Sequence, residues 1–181
     1  ISTLSADSIA DRHVQSLADL GDGAIPSLRV APFFARSSAL TLGMRGIGAL
    51  SDANQPARDQ AVGVYIDGVY LGRAQGLGAA VYDVERIEVL KGPQGILFGR
   101  NTEGGAISIV TRRPSGQFGV SASASYGIYG AYRAAIHADF PEFNNISLKF
   151  DGLVSKRDGT VKNPTSMNAE DFNAYDKSGV H

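Results

Sequence analysis

The sequence predicts two unlike parts in succession: an α+β domain of short mixed strands and helices over about residues 1 to 115, then the start of an antiparallel transmembrane β-barrel over residues 116 to 181. Three observations carry this. Glycine is frequent, 22 of 181 residues, without collagen periodicity, which suits a β-rich domain of tight turns and close backbone contacts. Three runs after Pro114 alternate apolar and other residues without a break. Aromatic residues stand at the ends of the first two runs, where the interfacial girdles of a membrane barrel would lie.

Near the start, Ser5 or Asp7 caps a helix that carries Ala10, Val14 and Leu17 on one face and stops at Gly21; it is the one convincing helix. "LRVAPFF" and "ALTLGMRGIG" are short β-like runs punctuated by Pro32 and glycine, and "ALSDANQPARDQ" is an exposed loop. Val62, Val64 and Ile66 alternate with Gly63, Tyr65 and Asp67, and Asp67-Gly68 turns the chain into Val69, Tyr70 and Leu71, a strong hairpin signal. In the second part, Phe118, Val120, Ala122, Ala124 and Tyr126 oppose Gly119, Ser121, Ser123 and Ser125. Tyr132, Ala134, Ile136, Ala138 and Phe140 then oppose Arg133, Ala135, His137 and Asp139. The third run sets Ile146, Leu148, Phe150, Gly152 and Val154 against Ser147, Lys149, Asp151, Leu153 and Ser155. Strands of about 9–11 residues are what a tilted membrane crossing needs. A soluble antiparallel sheet with one wet face is the rival for any single run.

Composition excludes several functions. A formal net charge of -1 gives no basic field for nucleic acid. Without cysteine there is neither a disulfide framework nor a thiolate metal site, and His13, His137 and His181 are scattered, so no metal is implied. No stretch approaches the roughly 20 apolar residues of a membrane-spanning helix. No motif brings together a nucleophile, a base and an orienting group, so an enzyme is not expected, nor is a cofactor.

The block "RIEVLKGPQGILFGRNTEGGAISIV", Arg86 to Val110, joins two apolar segments through Gly92, Gly95, Gly99, Gly104 and Gly105. A phosphate cradle is the functional rival and is not expected: "GPQGILFGRNT" lacks the lysine followed by Ser or Thr of a P-loop, and "GMRGIG" is not a dinucleotide fingerprint in order or context. From Val62 to Pro114 the sequence resembles the plug domain of a TonB-dependent outer-membrane receptor. "ISTLSADSIADRHVQSLADLG" and "LTLGMRGIG" are similar to that plug's opening strand and helix and its Arg-Gly segment, and residues 118 to 156 resemble the first barrel strands that follow it. Under this resemblance the glycines are a packing device, needed where a plug turns sharply and brings its backbone close to its surroundings.

The resemblance implies a bacterial outer-membrane location and energised uptake of a scarce solute, a ferric siderophore first, with carbohydrate or corrinoid as substitutes. It implies three partners: the solute, outer-membrane lipid, and the TonB energy-coupling protein, whose contact segment is expected upstream of this chain, as is a signal peptide. A plugged barrel of about 22 strands is expected where three are encoded, so the chain is read as a fragment. Family plug arginines that pair with barrel glutamates match Arg45 and Arg86; the alternative is that Arg86 and Glu88 are solvated strand residues. Ligand-binding positions at the plug apex match Phe33, Phe34, Arg36, Asn54, Gln55, Arg73 and Gln75, a set suited to an anionic or hydroxyl-rich ligand with an apolar part, against the alternative of ordinary loop chemistry. The segment Lys156 to Asp176 is expected to be an extracellular loop and "PEFNN" a periplasmic turn. The competing class is a soluble β-rich binding module without transport.

Overall fold

The computed structural model describes residues 1–33, 36–48, 59–73, 77, 83–162, 164 and 174–180, with backbone alone for Phe33 and residues 36–38. The chain divides into two compact units, Ile1–Arg112 and Arg113–His181.

The single helix expected near the start is broken in two. β1 (Ser2–Ser5) leads into α1 (Ala6–Asp11), and Ser5 is the cap, its Oγ accepting from Ser8 N at 3.3 Å. The helix cannot run on to Leu17 because His13 takes φ 51°, in the left-handed region. A 3₁₀ helix follows at Leu17–Asp22, organised by Asp19, whose Oδ2 accepts from Gln15 N at 2.8 Å and Ser16 N at 2.7 Å. Gly23 at φ 85° ends it, not Gly21. Gly21 serves packing instead, since a Cβ there would sit 2.7 Å from Val30 O. Val14 and Leu17 are buried as their periodicity suggested, but Val14 lies in the link between the two helices and Leu17 opens the 3₁₀ helix, so no single α-helix carries both inward.

Arg12 clamps Asp22 at 2.6 Å and ties the two short helices together. That hydrogen bond, helped by the one from Ala24 N, holds the Asp22 carboxyl below the usual carboxylate range. Its contribution is therefore present above the ordinary carboxylate pKa and fades as pH falls through the lowered value.

β2 (Leu28–Phe33) and β3 (Arg36–Met44) pair antiparallel from Leu28↔Met44 to Pro32↔Leu40, and a register shift after Pro32 sets Phe33 against Arg36. The larger sheet is mixed. β4 (Val62–Ile66), β5 (Val69–Tyr70), β6 (Val84–Lys91) and β7 (Gly105–Thr111) join β1 in the order β1-β6-β7-β4-β5, and only β4 and β7 run parallel. A short helix, α2 (Gly95–Phe98), stands between β6 and β7. The Asp67-Gly68 hairpin is present, with φ 48° and 83° as a type I′ turn requires. Asp67 also holds the far end of β7, accepting from Thr111 N at 2.9 Å and Thr111 Oγ1 at 2.8 Å.

One sheet face packs Val62, Val64, Ile87, Val89 and Ile107 against Leu17, Leu20, Leu40 and Met44. The other has only a small cluster of Tyr65, Leu90 and Ala106, packed with Tyr70 and Phe98. With both faces covered, β4 buries Val62, Gly63, Val64 and Tyr65 in succession rather than alternately. Gly105 shows what the glycine-rich block is for: at φ 150° it opens β7 where a Cβ would run into Leu90 O and Met44 Sδ.

The second unit is an open antiparallel sheet of order β11-β10-β9-β8, formed by β8 (Gly119–Tyr126), β9 (Tyr132–Asp139), β10 (Lys149–Arg157) and β11 (Tyr175–Val180). Four strands replace the three expected. "YDKSGV" has almost no apolar alternation to mark it, and its hydrogen bonds to β10 make it a strand. The expected Lys156 to Asp176 loop accordingly gives up its two ends to β10 and β11, and residues 163 and 165–173 within it lie outside the described residues. The third run begins at Lys149 rather than Ile146, because Ile146 pairs back onto Phe143 across Asn144 and Asn145, both at positive φ.

The sheet is inverted relative to a soluble one. Register aligns Val120, Ala138 and Phe150, then Ala122, Ile136, Gly152 and Val180, then Ala124, Ala134, Val154 and Ser178 on one face. On that face Val120, Ile136, Phe150 and Val154 are all exposed, by 43–58%. On the opposite face Asp139, Asp151 and Ser155 are buried. Tyr126 faces Tyr132 at one end of the apolar rows, and Phe118 and Phe140 flank the other.

Candidate functional site

Arg45 stands in a tight turn that the sequence "MRGIG" makes for itself. Met44 and Ile47 exchange backbone hydrogen bonds at 2.7 and 2.9 Å, and Arg45 and Gly46 take φ 53° and 79° between them. Arg45 N donates to Ser27 O at 3.0 Å, which fixes the turn on the start of β2 and leaves the side chain exposed. The guanidinium reaches over Gly92, where a Cβ would come within 3.2 Å of Arg45 Nη1. Gly92 thus makes room for a cation at the end of β6.

Arg86 lies within β6 and is already paired. Its Nε meets Glu88 Oε1 at 2.7 Å and its Nη1 meets Glu85 Oε1 at 2.8 Å. Glu88 first, and then the nearby charge of both carboxylates, hold the guanidinium above its ordinary pKa. Six residues of extended strand separate Arg86 from Gly92, about 20 Å at the usual strand rise, so Arg45 and Arg86 are two separate cations and not one cluster.

The structure locates the ligand-binding candidates unevenly. Phe34, Asn54, Gln55 and Gln75 lie outside the described residues, as do the side chains of Phe33 and Arg36, whose backbones face each other at the hairpin end of β2 and β3. Arg73 is exposed, just beyond the point where Leu71 N bonds to Val64 O. This puts it at the end of the mixed sheet where β4 begins and where Gly104 N bonds to Ala61 O.

The block between β6 and β7 carries an aromatic cluster that its sequence does not announce. Phe98 packs on Tyr65 with ring centroids 4.8 Å apart and planes tilted by 56°, Tyr65 lies 5.4 Å from Tyr70, and Asn101 Nδ2 donates to Tyr70 Oη at 3.2 Å. Burial pushes the Tyr65 phenol up, so it remains a donor, and it bonds to Phe98 O at 2.6 Å. The signal was the apolar run Ile96-Leu97-Phe98 inside a loop, too short to register as an amphipathic element.

A mixed sheet stitched by glycine is followed by an antiparallel sheet whose apolar face is exposed, the alternation of a transmembrane barrel strand, and the two together point to the class of plugged outer-membrane receptors. Residues 1–106 match the TonB-dependent Receptor Plug Domain. The chain belongs to that family, and the outer membrane is its location.

Among its relatives, the pesticin receptor of Yersinia enterocolitica is 37% identical over 92 residues, which are 48% of this chain and 13% of that receptor. The catecholate siderophore receptor Fiu of Escherichia coli is 33% identical over 72 residues, 38% of this chain and 9% of the receptor. The crystal structure of the ferric yersiniabactin uptake receptor FyuA from Yersinia pestis superposes with a TM-score of 0.76 at 26% identity, covering 98% of this chain and 27% of FyuA. The chain thus spans about a quarter of that solved receptor.

Proposed function

We propose that these residues are the plug, residues 1–115, and the opening barrel strands, from residue 116, of an outer-membrane transporter that imports a ferric siderophore with energy delivered through TonB. The observation that carries this is the inverted sheet. Its exposed rows suit lipid and its sheltered face suits a polar lumen, whereas a soluble binding module would bury Ile136, Phe150 and Val154. The names of the similar receptors, for catecholate siderophore and ferric yersiniabactin, support the ligand class. The TonB contact falls upstream of the plug. A strain lacking the full-length gene should lose uptake of one radioiron-labelled siderophore, regain it with the gene restored, and lose it again without TonB; unchanged uptake of every siderophore class tested would remove the assignment.

Arg36, Asn54, Gln55, Arg73 and Gln75, with Phe33 and Phe34, form the plug's share of the ligand site, their cations and amides suited to an anionic ligand with an apolar part. Arg73→Ala should weaken siderophore binding by about one to two decades, the loss of one charge-assisted hydrogen bond. Titration with the transported siderophore checks this, and wild-type affinity would assign recognition to barrel loops.

Arg45 and Arg86 make plug-to-barrel ion pairs. Arg45, with its side chain exposed over Gly92, is the freer of the two to do so, while Arg86 must share its guanidinium with Glu85 and Glu88. Arg45→Ala and Arg86→Ala should each raise hydrogen exchange in the plug of the full-length receptor, the first more than the second. Unchanged exchange in both, with the barrel folded, would leave them as surface cations.

A further inference from the structure

The inward face of the four-stranded sheet changes sign along the strands. At the end that leads into "PEFNN", Asp139 faces Lys149 and His137 faces Asp151, and both aspartates are buried. The middle rung, Ser123, Ala135, Leu153 and Gly179, carries no charge. The next sets Arg133 and Lys177 on either side of Ser155, and the one beyond pairs Arg157 with Tyr175. Among the described residues these last two rungs hold three cations and no carboxylate. Asp176, at the same end of β11, stands opposite Lys156 on the outward face. Six residues of strand, about 20 Å, separate Arg157 from Asp151.

Tyr175 organises the cationic end. Arg157 Cζ reaches it from the facing strand at 5.0 Å from the ring centroid, and Lys177 Nζ, two residues along β11, at 5.2 Å. An aromatic face attracts a cation through its electron cloud and does not itself take up N–H donors. Arg133, Arg157 and Lys177 are all half-buried, where charges act on one another more strongly than in water. Cations gathered this closely repel, and an anion among them relieves the repulsion.

We propose that Arg133, Arg157 and Lys177, gathered around Tyr175, are an anion subsite that selects a net-negative ferric chelate, its iron held by catecholate or carboxylate oxygens, over a neutral one. This rests on the reading of the chain as part of a siderophore receptor with the β10–β11 connection outside the cell, and it narrows that reading to one ligand charge class. Ferric iron wrapped by catecholates or carboxylates keeps surplus negative charge, whereas hydroxamates leave it neutral. Arginine grips such oxygens in pairs and lysine attracts them as a point charge. The buried aspartates at the far end repel the same ligand, so the wall holds it at the loop end.

The test measures binding to the purified full-length receptor in detergent, with the ferric complexes of a tris-catecholate, of citrate and of a tris-hydroxamate as probes. One of the first two should bind, and the hydroxamate complex should not compete with it. Arg133→Gln, Arg157→Gln and Lys177→Gln should each weaken that binding by about one to two decades, the loss of a charge-assisted hydrogen bond. Lys177→Arg, which keeps the charge, should retain most of the affinity. Lys156→Gln removes a cation from the same end of the sheet on the opposite face and should bind like wild type. Heat-modifiable mobility on gels confirms that each variant has folded. Wild-type affinity in all three glutamine variants at the inward positions would overturn the subsite, as would an equal loss in Lys156→Gln, the mark of general charge attraction. Hydroxamate binding as tight as that of either anionic complex would overturn the charge class and leave a siderophore receptor standing. A receptor that binds none of the three overturns this inference, and unchanged uptake in the strain lacking the gene would remove the transport reading with it.

Discussion

Ile136→Arg in the full-length receptor is expected to keep most of the protein from assembling in the outer membrane. Ile136 sits in the middle row of the apolar face, between Ala122 and Gly152, two residues of strand from the Val120 row on one side and the Ala134 row on the other. With lipid outside, an arginine there lies near the bilayer midplane and costs about 2–4 kcal/mol, falling toward zero at the interfaces. Snorkelling offers little relief, because the nearest polar level is the tyrosine row of Tyr126 and Tyr132, four residues away along the strand, about 13 Å. Ser123→Arg, one residue along β8 on the opposite face, should assemble normally, since its side chain enters the polar side of the sheet. Heat-modifiable mobility in outer-membrane fractions distinguishes the two. Equal assembly of both variants would mean that the face of Ile136 does not meet lipid.

Gly105→Val should dismantle the plug while leaving barrel assembly intact. Two independent penalties act at this position. The backbone stands at φ 150°, open to glycine and strained for a β-branched residue, worth about 1–3 kcal/mol. The new Cβ would also collide with the Leu90 carbonyl, which is part of the β6–β7 ladder, and with Met44 Sδ in the core, where overpacking costs about 1–3 kcal/mol more. A loss of about 2–6 kcal/mol competes with the whole stability of a small domain. The expected readouts are protease cleavage within residues 1–112 and entry of large antibiotics that the plugged receptor excludes. Gly95→Ala makes the control: a Cβ there meets nothing within 4 Å and the residue lies in α2, so it should be neutral.

Much of this was legible in the sequence because it depends on local chemistry. Asp67-Gly68 announced its hairpin since few residue pairs accept positive φ twice, and the period-two runs after Pro114 fixed which residues share a face. The failures have equally local causes. Ala10, Val14 and Leu17 have helical spacing and are separated by a left-handed His13, a backbone state that no apolar pattern reports. β11 is a strand because β10 supplies its hydrogen bonds, so "YDKSGV" carries little of the signal itself. Arg86 pairs with Glu88 on the same strand face and with Glu85 beside it, local partners that the sequence placed within reach and that any distant glutamate would have to share. The exposure of Ile96 and Leu97 was not legible because exposure is a property of the fold, and three apolar residues in a row read equally well as buried.

The central claim is that the second unit is a membrane wall, and spin labels at Ala122 and Ser123 in the full-length receptor test it most directly. These neighbours point to opposite faces of β8. Labels at Ala122, and likewise at Ile136 and Phe150, should be relaxed by oxygen dissolved in the lipid, while those at Ser123 and Arg133 should not. Relaxation by oxygen at Ser123 together with protection at Ala122, or water-like accessibility at both, would contradict the barrel.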